Sequence, residues 1–355
     1  MSDDETEILP PRRNAAFQGH AEAESTVLRA WGSGRMQHAW LISGPRGVGK
    51  ATLAYRMARM VLAGAAGQDL FGGVAPTLQV SPDSPVFRQV ASGGHPDLLT
   101  IERGYDDKRE RRRSEIVVED VRQIGEFLHL KAALGGWRVV VIDSADEMNR
   151  NAANALLKIL EEPPPQAVIL VVSHSPGRLL ATIRSRCRHL ALGPLPAAEL
   201  QELLRHYRPD LPEIERSKLL HLSHGSIGRA LEVAAAGGVE LHAEISGQLA
   251  QLPNVESGAL HGLADRIAQG GSDGAFRLAT ELLLDELARS VRAGTVDGAG
   301  DASSLGRLIR PTNLDQWLEL WEKISRLFAR TEAVNLDRKQ VWLGAMLEIG
   351  GLAGR

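Results

Sequence analysis

The residues best placed to do chemistry form one short run, Gly44-Pro45-Arg46-Gly47-Val48-Gly49-Lys50. Glycines at this spacing let backbone N–H groups turn inward around an oxyanion, and a terminal lysine supplies a cation for the outer phosphates of a nucleotide. The pattern is that of a Walker A loop through Lys50 and departs from it one residue later. Ala51 stands where a Ser or Thr would hold Mg²⁺, and the hydroxyl arrives late, at Thr52. One residue of helix is about 100° of rotation, so Thr52 does not replace that ligand. ATP binding through the backbone and Lys50 is compatible with this run; Mg²⁺-assisted hydrolysis is weakened.

A second group of acids follows the run Arg138-Val139-Val140-Val141-Ile142. Asp143 is placed as the carboxylate that holds Mg²⁺ through water. The next residue, which in hydrolytic relatives of such sites is a Glu that polarises water, is Ser144. Asp146 and Glu147 lie near but project from other positions; they read as acids at the start of the following helix, where they suit its dipole. Two positions needed for hydrolysis, 51 and 144, thus depart independently.

These groups need elements to hold them. His38 to Ser43 is a short apolar run ending at glycine, which reads as a buried strand feeding the loop; a helix is expected from about Lys50 to Leu62. A helix is also expected over 15–35, with Val27, Leu28 and Trp31 on its apolar side, and others over 119–131 and 151–161, the last stopped by Pro163-Pro164-Pro165. Residues 138–143 and 167–172 read as further strands, apolar along their whole length. Strands of that kind alternating with helices make a parallel sheet covered on both faces. Residues 64–95, rich in Gly, Pro and Ser, read as irregular structure, and 105–115 as a solvated charged loop. Past residue 192 only helical patterns remain. Leu314, Trp317, Leu318, Trp321, Ile324, Leu327 and Phe328 share one helix face. The expected organisation is a polar tail (1–13), an α/β P-loop domain (14–192), a small helical lid (193–240) and a C-terminal all-helical domain (241–355).

Four stretches, in this order, resemble the clamp-loader branch of the AAA+ ATPases. They are His38–Leu41 running into the phosphate loop, Asn154-Ala155-Leu156-Leu157-Lys158-Ile159-Leu160-Glu161-Glu162-Pro163-Pro164, Leu180–Cys187 with its Ser185-Arg186-Cys187, and Gly225-Ser226-Ile227-Gly228-Arg229-Ala230-Leu231. The resemblance covers most of residues 12–236 and implies an AAA+ fold with lid and collar. It further implies that Arg186 is a finger reaching a neighbouring subunit's ATP, a role suited to a planar, permanently charged guanidinium. Motor-type members carry a sensor arginine at the position of Gly228, and Arg229 sits one place later. Ser173 and His174 occupy the turn where relatives place a polar sensor; His174 reads there as a turn residue rather than a base. Some members also carry a four-cysteine zinc module after the loop helix. Here residues 64–95 hold no cysteine, so a thiolate zinc site is excluded and no metal site is assigned.

Set against that resemblance, the departures at 51, 144 and 228 imply the stator type of clamp-loader subunit rather than a motor. The resemblance then implies gamma/tau-type motor subunits and a delta subunit as partners in a hetero-oligomeric ring, with the sliding clamp and primed DNA reached through the complex. An active gamma/tau-type motor, an unrelated P-loop ATPase such as a helicase loader, and a binding module with a relic loop stand as alternatives.

Bulk properties set limits on these readings. A net charge of −3 lacks the basic excess of a protein that coats nucleic acid alone. The run Lys108–Arg113 is interrupted by acids, and a solvated loop is its plainer reading. One cysteine permits no internal disulfide. No apolar run approaches the ~18 residues of a membrane span, and the start of the chain lacks the apolar segment of a signal peptide. The cytoplasm is the expected location.

Overall fold

The computed structural model describes residues 9–66, 77–106, 111–134, 136–269, 273–294, 305, 309, 313–334 and 336–354. The chain divides into two compact units, residues 1–231 and 232–355.

The first unit opens with α1 (Ala21–Gly32) and β1 (Ala39–Ser43), followed by α2 (Lys50–Ala66) and α3 (Pro85–Ser92). Helix α1 starts six residues later than the pattern over 15–35 suggests, because Gly19 takes a left-handed φ of +90°. The residues before it form a strap instead. The buried Arg59 of α2 donates to the carbonyls of Arg12 (3.0 Å) and Asn14 (2.9 Å), and Arg56 donates to that of Ala15. Helix α3 corrects the irregular reading of 64–95. Ser84 caps it by accepting from the Phe87 amide, Pro85 begins it, and the left-handed Gly93 ends it. The same Ser, Pro and Gly that suggested a loop are its boundary residues. Positions 67–76 of that stretch lie outside the described residues.

Next come β2 (Leu98–Ile101), β3 (Tyr105–Asp106), β4 (Arg111–Arg112), α4 (Val118–His129), β5 (Arg138–Ile142), α5 (Arg150–Glu161), β6 (Ala167–Ser173), α6 (Ala181–Arg186) and β7 (Arg188–Ala191). Strands β3 and β4 pair antiparallel, so the charged run 105–115 is in part a short ribbon; residues 107–110 lie outside the described residues. Residues 145–147 form a single 3₁₀ turn, and α5 has its own cap, Asn149, which accepts from the Ala152 amide. Asp146 and Glu147 therefore do not sit on that helix's first turn as expected, and both take other partners.

The main sheet is parallel throughout, in the order β2-β5-β6-β1-β7. Alternate residues of each central strand enter two different cores. Trp40 and Ile42, Val139 and Val141, and Val168, Leu170 and Val172 pack with α1, α2 and α3. Leu41, Val140 and Ile142, and Ile169 and Val171 pack with α4, α5 and α6. Both faces are apolar because both are covered, which is why these strands show no polar alternation. The chain leaves β1 for the far edge, returns through β5 and β6, then crosses to β7. The loop after β1 thus lies at a topological switch point, where ligands of open α/β sheets bind. Three further helices, α7 (Ala197–Tyr207), α8 (Glu213–Leu222) and α9 (Ile227–Ala235), bring the chain to the division between the units.

The second unit holds α10 (Gly238–Ala250), α11 (Ser257–Gln269), α12 (Asp273–Gly294), α13 (Leu314–Val334) and α14 (Arg338–Ala353). Its core includes Phe276, Trp317, Ile324, Phe328 and Trp342. The Phe328 and Trp342 rings stack at 6.4 Å. On α13, Trp317, Ile324 and Phe328 face this core, but Leu318 is 49 % exposed and stands off the expected apolar face. Most of the Gly-rich stretch 294–306 lies outside the described residues.

Candidate functional site

The phosphate loop joins the end of β1 to the start of α2, and two of its glycines are there for want of space as well as for φ. A Cβ on Gly44 would meet the Leu192 carbonyl at 2.1 Å, and one on Gly47 would meet the Ser226 hydroxyl at 2.3 Å. Gly49 has a φ of +100°. Val48 is buried in the core below the loop, and its carbonyl meets His20 Nε2 at 2.9 Å. Lys50 is 3 % exposed, and its Nζ donates to the Gly44 carbonyl at 2.7 Å and to that of Pro45. Burial lowers its pKa to about 8, against the opposing pull of Asp146 and Asp143.

Asp143 continues from β5, its amide donating to the Ile101 carbonyl. Burial raises its pKa, Glu102 adds to the rise, and hydrogen bonds from Ser144 oppose it. Ser144 takes a left-handed φ of +58°, which turns its hydroxyl to within 3.1 Å of His174 Nε2. The His174 amide donates to Asp146 Oδ1 at 2.8 Å. Burial lowers the His174 pKa to about 4; Lys50 and Arg46 push it further down, and Asp146 opposes them. Burial alone would raise the pKa of Asp146, but hydrogen bonds, the His174 amide first, outweigh that and leave it below its ordinary value. Glu147 pairs with Arg103 at 2.8 Å and Arg46 at 3.5 Å. The two acids expected to suit a helix start are thus spent on bracing this turn.

Around these groups lies a cleft lined by Gly47, Gly49, Lys50, Ala51, Thr52 and Asp143. Its other walls include Leu9, Pro11 and Asn14 of the strap, Tyr207 at the end of α7, and Ile227, Gly228 and Leu231 of α9. Gly44 and Val48 support the loop from behind. Asn14 and Tyr207 exchange side-chain hydrogen bonds at 2.8 and 3.1 Å, tying strap to lid. The lid reaches the loop itself. Ser226 Oγ donates to the Arg46 carbonyl at 2.8 Å, and the Gly228 amide donates to the Gly47 carbonyl at 2.9 Å. A Cβ on Gly228 would come within 2.7 Å of Gly47 Cα. The Arg229 Nε donates to the Leu222 carbonyl, in its own lid.

Nucleotide binding is possible in this cleft, where the loop backbone and Lys50 would face the phosphates and Asp143 the metal, but the residues for an accompanying Mg²⁺ are incomplete. The metal side has no hydroxyl at 51 and a serine at 144 engaged with His174, while the lid backbone rests on the loop at Gly47. Among the described residues no group of three or more His, Cys, Asp or Glu is arranged to hold a metal ion.

Arg186 lies elsewhere. It ends α6, next to the start of β7, where Arg188 pairs with Trp40 at the beginning of β1. The phosphate loop leaves the other end of β1, roughly 13 Å along the strand. The guanidinium donates to Glu161 Oε1 at 2.8 Å and to the Thr182 carbonyl at 3.1 Å, and the side chain is 35 % exposed. Arg188 stacks on the Trp40 ring at 4.8 Å. Cys187 is buried in the α4–α6 core, and burial raises its pKa to about 11.

Sequence reasoning missed the strap, Tyr207, the Ser144–His174 pair and the lid latch at Ser226. The latch left a trace in Gly225-Ser226-Ile227-Gly228, where two glycines bracket a small polar residue at a helix start.

A parallel sheet in this strand order, a phosphate loop at its switch point and a helical lid against that loop define a P-loop protein of the AAA+ type. A family profile for the DNA polymerase III delta subunit matches residues 19–196, and the chain belongs to that family. It is 39 % identical over 221 residues to the DNA polymerase III subunit delta' of Pseudomonas aeruginosa, covering 60 % of this chain and 61 % of that one. It is 29 % identical over 291 residues to the subunit delta' of Escherichia coli K12, covering 81 % and 82 % of the two chains. Among solved structures it is similar to a DNA polymerase III gamma subunit-related protein of Thermotoga maritima. That likeness has 17 % identity, a TM-score of 0.49, and covers 93 % and 99 % of the two chains.

Proposed function

We propose that this chain is a stator, of the delta-prime type, in a bacterial replicative clamp loader. It stands in a ring with gamma/tau-type motor subunits and a delta subunit, and the complex places a sliding clamp on primed DNA in the cytoplasm. Its own loop does not turn over ATP. Arg186 instead completes a neighbour's site, stabilising negative charge on the phosphoryl group as it transfers. The C-terminal helical unit serves as the collar that holds the ring.

The observation that carries this reading is the separation of two features. Lys50 is engaged by its own loop under the lid, whereas Arg186 is half-exposed at the opposite end of the strands from that loop. A guanidinium so placed meets a phosphate only on another chain. An active motor would need a hydroxyl at 51, a carboxylate at 144 and room for a side chain at 228, and this chain has none of the three.

The test is ATP turnover by the reconstituted complex with clamp and primed DNA. Arg186→Ala is expected to lower turnover by ~10³-fold at the one site it serves, with assembly intact. Unchanged turnover in a complex where each neighbouring motor's contribution is resolved would sink the finger role.

A further inference from the structure

Two stretches that stood out in the sequence for separate reasons meet at one ion pair. Glu161 closes α5 just before the Pro163–Pro165 stop, and Arg186 closes α6. Their side chains meet at 2.8 Å. Helices α5 and α6 are fixed against one another through a shared core that includes Leu156, Leu160 and Ile183, so the pair inherits a rigid base. Glu161 has little to do for its own helix. It is 52 % exposed, and a carboxylate at a helix C-terminus faces the negative end of the dipole. Among the described residues its side chain's hydrogen-bond partner is Arg186 alone.

We infer that Glu161 is a positioning residue for the finger: it holds the Arg186 guanidinium at the subunit face, ready for a phosphate of the neighbouring chain. This rests on the proposed finger role of Arg186. A guanidinium offers five N–H donors. One goes to Glu161 and one to the Thr182 carbonyl, and the other three remain for an acceptor from outside. The carboxylate therefore anchors the group without consuming it. Fixing a long side chain beforehand removes part of the ordering cost at the moment of engagement, an effect worth roughly 2- to 10-fold in rate.

The test uses four reconstituted complexes: wild type, Glu161→Ala, Arg186→Ala and the double variant, with kcat and KM for ATP measured on each. Glu161→Ala is expected to lower kcat about 2- to 10-fold at the dependent site with KM unchanged, because the neighbour binds its own ATP. It is expected to have no further effect once Arg186 is gone. Glu161→Gln, which keeps an acceptor oxygen, is expected to restore most of the rate, and melting of the isolated Glu161→Ala chain to match wild type. If Arg186→Ala slows turnover and Glu161→Ala does not, the finger stands and the positioning role is overturned. An equal loss from Glu161→Ala with and without Arg186 would mark a structural effect, and faster turnover would mark a competitor; either overturns the inference. If Arg186→Ala itself changes nothing, both the finger and its positioning residue are excluded.

Discussion

The Gly228 amide donates to the Gly47 carbonyl at 2.9 Å, so the first turn of the lid helix is hydrogen-bonded to the phosphate loop. Gly228 must be glycine because of Gly47, whereas Gly47 is fixed by its φ of +73° and by the Ser226 hydroxyl, with Gly228 close behind. A Cβ at 228 would meet Gly47 Cα at 2.7 Å, and one at 47 would meet Gly228 Cα at 3.0 Å.

Gly228→Ala should therefore destabilise the first unit by ~1–3 kcal/mol, the range for forcing a group into a packed contact. In an open helix the same change would stabilise by up to about 1 kcal/mol. Urea denaturation of the isolated chain distinguishes the two signs. A gain in stability would mean that the lid yields without cost.

Lys50→Ala should leave turnover of the complex within about twofold of wild type, since the proposed reading gives this loop no hydrolysis to perform. In an active Walker A loop the lysine pairs with the β/γ-phosphates, and its loss removes transition-state stabilisation. A large fall in turnover with assembly intact would return the chain to the motor class.

His174 fixes a pH dependence. Its folded pKa of about 4 lies below the ordinary 6.5, so between these values the unfolded chain takes up a proton that the folded chain does not. Stability is then highest above pH 6.5 and falls as the pH drops towards 4. With partial exposure discounted, the loss is ~1–2 kcal/mol. His174→Gln should flatten denaturation midpoints measured between pH 7 and 4.5, and a proton NMR titration of the ring should move only near pH 4.

Cys187 should resist thiol reagents. With its pKa raised to about 11, only ~10⁻³ of it is thiolate at pH 8, and the thiolate is the reactive form. Colorimetric labelling should give no titratable thiol in the folded chain and one per chain in denaturant.

Much of the α/β layout was legible because strand and helix signals are local. The runs at 138–142 and 167–173 are rich in Val and Ile, and the prolines after Glu162 can only stop a helix. The loop residues from Gly44 to Lys50, with Asp143, were legible for the same reason: motif and context lie within a few positions. The other walls of the cleft were not. Asn14 meets Tyr207 across 193 positions, and Ser226 meets Arg46 across 180, and no local pattern announces such pairs. The left-handed Ser144 was hidden too, since a serine gives no sign of φ > 0. Helix α3 was missed for the opposite reason: its capping residues, read singly, are also those of loops.

The register of β1 sets an order of events during synthesis. Among the strands of this sheet it is the first in chain order, yet it lies inside the sheet, and its partners begin with Ile169 on one side and Arg188 on the other. Until those segments emerge, Ala39-Trp40-Leu41-Ile42 has no neighbour on either edge. The β2-β5-β6 group can pair first, and β1 then slots between β6 and β7, a long-range closure of the kind that slows folding. A nascent chain stalled before residue 167 would carry an apolar strand with both edges bare, which makes this interval the one in which a holding chaperone has most to protect.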